Sequence, residues 1–183
     1  MAAQCAGRAQ RGGGCGSAQV AAPSEIGARG DIIHKAILPI GGRALEVIEG
    51  VRLLDLKFLG YPLAIAAYLL TGKEEAALVE VGPASTADTL LNEVEQAGVP
   101  LDKVRHLLVT HIHLDHAGAL GVLMQRLPHT ICYVHPVGAP HLADPSRLVA
   151  SASRLYGELM DTLWGPVLPV PAERIRIVQD GER

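Results

Sequence analysis

Two pairs of apolar runs, each pair joined by a short turn, precede an alternating series of strand and helix patterns in this 183-residue chain. The turns fall at Glu49-Gly50 and at residues 71–73, and both pairs have the form of β-hairpins. Residues 83–98 predict a helix, and short apolar strands follow at residues 104–110 and 130–134. Hairpins followed by strand–helix–strand units predict an α/β fold with a mixed sheet.

The first predicted helix carries its own start and stop signals. Ser85 is the expected N-cap, Asp88 falls in the first turn, and Gly98 ends the helix. The apolar side chains expected on one face are Leu90, Leu91, Val94 and Ala97.

A second, longer helix is predicted after Asp144-Pro145, where a capping aspartate precedes a proline at the first helical position. Gly165-Pro166 is expected to end this helix. Its single apolar face is formed by Leu148, Ala152, Leu155, Leu159 and Leu163.

The composition of the chain argues against several classes of function. Apolar residues make up 49% and charged residues 19%, which is typical of a globular protein. The net charge of −3 and the single Trp and Phe argue against a nucleic-acid surface, which needs clustered cations and stacking aromatics. The longest apolar run, residues 61–70, is shorter than the roughly 20 residues that span a bilayer and predicts a buried strand. We therefore expect neither a nucleic-acid nor a membrane partner.

Residues 1–30 are rich in glycine and alanine and lack the apolar segment of a secretory signal. They predict a low-complexity, disordered leader in front of a domain over residues 31–183. Cys5 and Cys15 fall in that leader, and Cys132 falls inside an apolar strand. Scattered cysteines in odd number fit a reducing compartment, so we expect a cytoplasmic protein in which Cys132 is a small core residue.

The segment LLVTHIHLDHAG, residues 107–118, contains three histidines and one aspartate within six positions, directly after a buried strand. In an extended segment His111 and His113 point to the same side, and two imidazoles at that spacing can bind one metal ion. If a helix begins near Asp115, then Asp115 and His116 turn toward a neighbouring point. A solvated surface turn is the alternative, but such a turn has no reason to follow an apolar run. The donor types are those of a catalytic zinc, so the segment predicts a metal site.

The stretch from Thr110 to His116 resembles the His-x-His-x-Asp-His signature of the metallo-β-lactamase superfamily, which includes glyoxalase II-like thioesterases, lactonases and β-lactamases. The stretches GYPLAIAAYLL and ALVEVGP are similar to the hairpins and the strand that lead to the motif in that family. The likeness covers residues 36–183 and corresponds to the first half of a complete domain. It implies the first half of a four-layer αβ/βα sandwich, with a mixed sheet and outer helices.

The resemblance also implies a ligand set and a reaction. His111 and His113 would bind a first metal ion, and Asp115 and His116 a second; the ions would be zinc, with iron or manganese as alternatives. A metal-bound hydroxide would attack a thioester, a lactone or a similar acyl substrate, and Asp115 would orient that nucleophile. Glu80 stands where many members have an aspartate, and its carboxylate would support the metal loop.

The last residues carry a turn signal without a partner strand. Asp180-Gly181 is typical of a hairpin turn, and no second strand pattern follows it. In the family, a further histidine, a metal-bridging aspartate and a last histidine come from the second half of the domain. The sequence is therefore expected to be the N-terminal half of a hydrolase domain. The alternative is a truncated, non-catalytic metal-binding chain that needs a missing or partner half-domain.

The remaining histidines have weaker interpretations. His135 follows the strand of residues 130–134, so it either completes a mononuclear site with His111 and His113 or lines the pocket or caps the next turn, which we favour. His141 has no assigned role. His106 is expected to be a strand residue with a hydrogen-bond partner, while His34 and His129 are expected on loops.

One half of a two-sheet domain would expose a sheet face of Leu, Val and Ile, which soluble monomers rarely tolerate. We therefore expect the chain to be unstable, aggregation-prone or a homo-oligomer joined through that face. The other expected partner is a small-molecule acyl substrate.

Overall fold

The computed structural model of the protein describes residues 45–182, and these form a seven-stranded sheet whose strands follow one another in chain order. The strands β1 to β4 pair antiparallel, and β4 to β7 pair parallel. The expected α/β fold with a mixed sheet is thereby confirmed. The leader of residues 1–30, with Cys5 and Cys15, lies outside the described residues, as does His34. The strands are β1 (Leu45–Ile48), β2 (Val51–Asp55), β3 (Ala66–Thr71), β4 (Ala76–Val79), β5 (Val104–Leu108), β6 (Ile131–Val134) and β7 (Ile175–Ile177).

Helices connect the parallel strands and form a separate layer. Within residues 45–182 no helix has the length and apolar character needed to cross a membrane. One helix lies between β4 and β5, two lie between β5 and β6, and three lie between β6 and β7. In chain order they are α1 (Ala87–Gln96), α2 (Leu114–Ala117), α3 (Leu120–Arg126), α4 (Ala139–Ala143), α5 (Ser146–Tyr156) and α6 (Met160–Leu163).

Both predicted hairpins are present. Gly50 has φ +78° in the turn between β1 and β2, and the Gly72 N–H donates to the Glu75 carbonyl at 2.9 Å between β3 and β4. The buried strand expected over residues 61–70 is confirmed only in part, since β3 begins at Ala66 and Tyr61 is 70% exposed. The positive φ of Leu63, +61°, explains this, because such a backbone cannot continue a strand.

One face of the sheet forms the core. The side chains of Leu69, Leu78, Leu107 and Cys132 are paired in register across four neighbouring strands, and all are fully buried. Side chains of α1 and α3 belong to the same core, which positions these helices on this face. Burial raises the pKa of the Cys132 thiol to about 12, so the thiol stays protonated at neutral pH. Cys132 is therefore the core residue that the sequence predicts.

On the opposite face, one side chain from each strand lies in a row across the sheet, and none of these side chains is fully buried. We call this face the open face. The row runs in register through all seven strands. It agrees with the exposed sheet face expected from the sequence. Its members are Leu45, Leu53, Tyr68, Val79, Leu108, Tyr133 and Arg176.

The start of the first predicted helix differs from the expectation. The N-cap role of Ser85 is wrong: residues Ala84–Thr86 form a 3-10 turn, and α1 begins at Ala87. The Ser85 hydroxyl instead donates to the carbonyl of Leu163 at 2.7 Å, which fastens the end of α6 to this turn. Gly98 ends the segment as expected, with φ +82°.

The long helix predicted after Asp144 is interrupted. Asp144 caps its start, because Oδ1 accepts a hydrogen bond from the Ser146 N–H at 3.1 Å, and this bond lowers the pKa of the carboxyl. Gly157, with φ +53°, then ends α5, and α6 follows after a 3-10 turn. No residue of α5 is fully buried, and Leu155 is 76% exposed.

The open face generates a prediction about self-association. We expect the 183-residue chain to elute as a dimer or larger assembly, because burial of apolar surface drives association. Tyr68→Glu, a change at the centre of the open face, should shift the chain toward monomer in size-exclusion chromatography with light scattering. Val137→Glu is the control, since Val137 is 72% exposed but lies outside the sheet. A monodisperse wild-type monomer with a cooperative melt would contradict the prediction.

Candidate metal centre

The carboxyl ends of three parallel strands meet at one edge of the sheet. Glu80 directly follows β4, the segment of residues 109–116 follows β5, and His135 follows β6. The Glu80 N–H donates to the Leu108 carbonyl at 2.9 Å, so the pairing of β4 with β5 continues up to the loops. This is the edge at which open α/β sheets place their ligands.

Glu80 fixes the start of the histidine loop. Its carboxylate is buried, and Oε1 accepts a hydrogen bond from the Thr110 N–H at 3.1 Å. The other oxygen, Oε2, is buried without a hydrogen-bond partner and lies 3.5 Å from His116 Nδ1. The support for the loop that the resemblance implies for Glu80 thus has a structural basis in its hydrogen bond to Thr110.

Three imidazole rings pack together on this loop. His111 Nδ1 is 2.9 Å from the Thr110 hydroxyl, and His111 Nε2 is 3.2 Å from His113 Nδ1. The ring centroid of His111 lies 4.7 Å from that of His113 and 4.1 Å from that of His116. The Thr110 hydroxyl orients the ring of His111, a role that was not predicted from the sequence.

The short helix α2 places the remaining donors. It begins at Leu114, one residue before the expected start, and has Asp115 in its first turn. His116 Nε2 lies 3.3 Å from Asp115 Oδ2. The carbonyl of His116 accepts hydrogen bonds from the N–H groups of Val81 and Gly82, at 2.9 and 3.2 Å, so α2 is held against the loop after β4.

The donor chemistry of this cluster fits a divalent metal ion, because imidazole nitrogen and carboxylate oxygen are the usual ligands of catalytic zinc. His111 lies beside both His113 and His116, and Asp115 lies beside His116. Within residues 45–182 there is no group of three such side chains placed to hold one ion. The buried, unpartnered oxygen of Glu80 adds negative charge beside the cluster.

The other histidines within residues 45–182 make different contacts. His135 Nδ1 accepts a hydrogen bond from the Val137 N–H at 3.3 Å, which agrees with turn-capping, one of the two roles that we favoured. His106 pairs with the Tyr133 hydroxyl at 3.0 Å and with Glu75 at 2.9 Å, as expected of a strand histidine with partners. His129 is exposed between α3 and β6, and His141 lies half-buried on α4.

The close packing around Gly82 generates a prediction. Gly82 has φ +68°, and a Cβ added there would collide with Cδ1 of the fully buried Leu56. Gly98 is a matched control, because its φ is +82° and an added Cβ meets no atom within 4 Å. We expect Gly98→Ala to cost about 1–2 kcal/mol of unfolding free energy from backbone strain. Gly82→Ala should cost about 1–3 kcal/mol more, because it also overpacks the core. Urea unfolding measures both values, and equal losses would contradict the role assigned to Leu56.

Two curated proteins are similar to parts of the chain. The Coenzyme F420H(2) oxidase of Methanothermobacter marburgensis is 33% identical over 115 residues, which are 62% of this chain and 27% of that protein. The uncharacterized protein YobT of Bacillus subtilis is 34% identical over 65 residues, which are 36% of this chain and 27% of that protein. The chain thus spans about a quarter of the length of these relatives.

The fold is shared with solved metallo-beta-lactamases. MEM-A1, a subclass B3 metallo-beta-lactamase from a soil metagenome library, superposes with a TM-score of 0.57 at 23% identity, over 76% of this chain and 47% of that one. The FEZ-1 metallo-beta-lactamase of Legionella gormanii superposes with a TM-score of 0.55 at 15% identity, over 73% of this chain and 45% of that one. A family model described as the metallo-beta-lactamase superfamily matches residues 60–182. This match agrees with the histidine motif and with the mixed sheet. The chain therefore belongs to the metallo-beta-lactamase superfamily.

Proposed function

We propose that the chain carries the metal-binding part of a hydrolase that cleaves a thioester, a lactone or a similar acyl substrate. His111 and His113 would hold one divalent ion, and Asp115 and His116 would hold a second. The observation that carries the proposal is the packing of three imidazoles and a carboxylate at the edge where β4, β5 and β6 end. Zinc suits these donors best, with iron or manganese as alternatives.

The chain's own residues would prepare the site for hydrolysis. A bound divalent ion would polarise the acyl carbonyl and lower the pKa of water, so that a nucleophile exists near neutral pH. Asp115, which is half-buried, would accept a hydrogen bond from that water and thereby orient it. Thr110 and Glu80 would keep His111 and His116 in position through the contacts described above.

A second candidate is a chain that binds metal without turnover until a further polypeptide segment supplies more ligands. This possibility is favoured by the number of donors, because four side chains shared between two ions give each ion two ligands, whereas a catalytic zinc usually has three protein ligands. Within the part of the chain that the structure describes, no group of three is present. The chain also spans 47% of the length of MEM-A1.

A metal and activity assay separates the two candidates. We expect the purified 183-residue chain to bind zinc, and His113→Ala to weaken zinc binding by at least about tenfold, because one of few ligands is removed. The control is His129→Ala, which removes an exposed imidazole outside the cluster. Inductively coupled plasma mass spectrometry and competition with a chromogenic chelator measure the binding.

Turnover is measured on the same proteins. Hydrolysis of a simple thioester that is lost in His113→Ala and kept in His129→Ala would support the hydrolase. Zinc binding without hydrolysis would support the second candidate. Absence of zinc, iron and manganese binding would contradict both.

Glu80 provides a separate prediction, because it touches the proposed ligands without being one of them. Glu80→Gln keeps an oxygen that can accept the Thr110 hydrogen bond but removes the charge beside His116. We expect zinc affinity to fall about ten- to a hundred-fold while the fold is retained, as for other residues that orient metal ligands. Glu75→Gln is the matched control, since Glu75 also pairs with a histidine, His106, away from the cluster. Equal zinc affinities of the two variants would contradict the role of Glu80.

A further inference from the structure

An open cleft lies between the candidate metal centre and the helices α5 and α6. Its volume is about 500 Å³. This lies within the range of roughly 300–1,000 Å³ that is usual for small-molecule sites. His113 and Asp115 line one side, so the cleft is continuous with the histidine cluster. The side chains lining it from α5 and from the end of α6 are Leu148, Ser151, Ala152, Leu155, Tyr156 and Trp164.

The helix α5 turns its apolar side chains toward this cleft rather than into the core. Leu148 and Ala152 are half-buried, and Leu155 is 76% exposed. An amphipathic helix of a globular protein ordinarily buries its apolar stripe, and an exposed stripe beside a polar centre is typical of a ligand-binding surface. The stripe therefore needs a partner that enters the cleft.

The aromatic end of the cleft is held in place. The ring of Trp164 lies 5.1 Å from that of Tyr156 and stacks on Phe58 at 5.7 Å, measured between centroids. The Trp164 carbonyl accepts a hydrogen bond from the Ser85 N–H at 3.1 Å. At Gly165 the backbone approaches so closely that a Cβ would lie 2.8 Å from the Ser85 nitrogen. A wall fixed in this way can bind an apolar group without first becoming ordered.

The charge of the cleft limits which group can enter. No lysine or arginine is among its lining residues, and Asp115 supplies the one carboxylate there. Beyond the reach of the proposed metal ions, a negatively charged substituent lying along α5 would thus lack a counter-ion. An uncharged apolar group would instead gain free energy by covering the side chains of α5.

We infer that the cleft binds the acyl group of the substrate and that this group is uncharged and apolar, a medium-length alkyl chain or an aromatic ring. The catalytic part of this inference rests on the proposed hydrolase function. The binding of an acyl group to the cleft does not rest on that function, because no side chain of α5 or α6 has a role in the reaction. The enzyme should therefore prefer long or aromatic acyl groups to short or anionic ones.

The first arm of the test measures binding without turnover. Trp164 is the single tryptophan of the chain, so its emission reports on the cleft directly. Octanamide should change the emission in a saturable way, whereas acetamide and suberamate, which is octanamide with a carboxylate at the far end of the chain, should bind at least about tenfold more weakly. Leu155→Asp should weaken octanamide binding by about tenfold, because the change puts a charge on the wall. Ile48→Asp, at a 65% exposed position on β1, should leave it unchanged.

The second arm compares the hydrolysis of nitrophenyl acetate, butyrate and octanoate. We expect kcat/KM to rise with acyl length, and Leu155→Asp to reduce this preference while Ile48→Asp keeps it. An emission change with octanamide but no hydrolysis would support the cleft and contradict the hydrolase. Hydrolysis without a length preference and without an emission change would overturn the inference about the cleft and leave the hydrolase standing. Equal effects of the two substitutions would also overturn the inference.

Discussion

The contact between the Glu80 carboxylate and the Thr110 N–H is the constraint on which the rest of the site depends. Glu80 has φ +61°, a backbone conformation that costs a residue with a side chain of the order of 1 kcal/mol or more. The strain persists because the backbone of Glu80 continues the pairing with β5 while its carboxylate receives the first N–H of the histidine loop. The loop is thereby fixed before any ion binds, and its backbone conformation determines how the histidine rings are arranged.

The parts of the fold that were predicted correctly are those that local chemistry determines. Alternating apolar residues around Gly50 and Gly72 specify hairpins, and the buried runs before His111 and His135 specify strands. The six-position spacing from His111 to His116 predicts a ring cluster because the strand end and the first turn of α2 fix where the side chains point. The conformation of these segments is determined by a few residues that are neighbours in the sequence.

The parts that were wrong depend on contacts between distant segments. Ser85 has the right side chain for an N-cap, but its hydroxyl bonds to Leu163, which lies 78 residues further along the chain. The spacing of the apolar residues in α5 correctly predicts that they share one face of a helix. The same spacing does not indicate which part of the structure that face contacts. Leu155 is on the stripe and still faces an open cleft, which only the tertiary structure could reveal.

The open face of the sheet is uneven, and this limits where association can occur. Its row from Leu45 to Leu108 is apolar except for the Tyr68 hydroxyl, but it ends in Tyr133, which is hydrogen-bonded to His106, and in Arg176. His106 bridges the Glu75 carboxylate, at 2.9 Å, and the Tyr133 hydroxyl, at 3.0 Å, so this polar chain is already satisfied. Covering it would remove exposed polar atoms from water without offering a new bond, which costs free energy. The hairpin strands β1 to β4 are therefore the part of the face at which an apolar partner surface gains most.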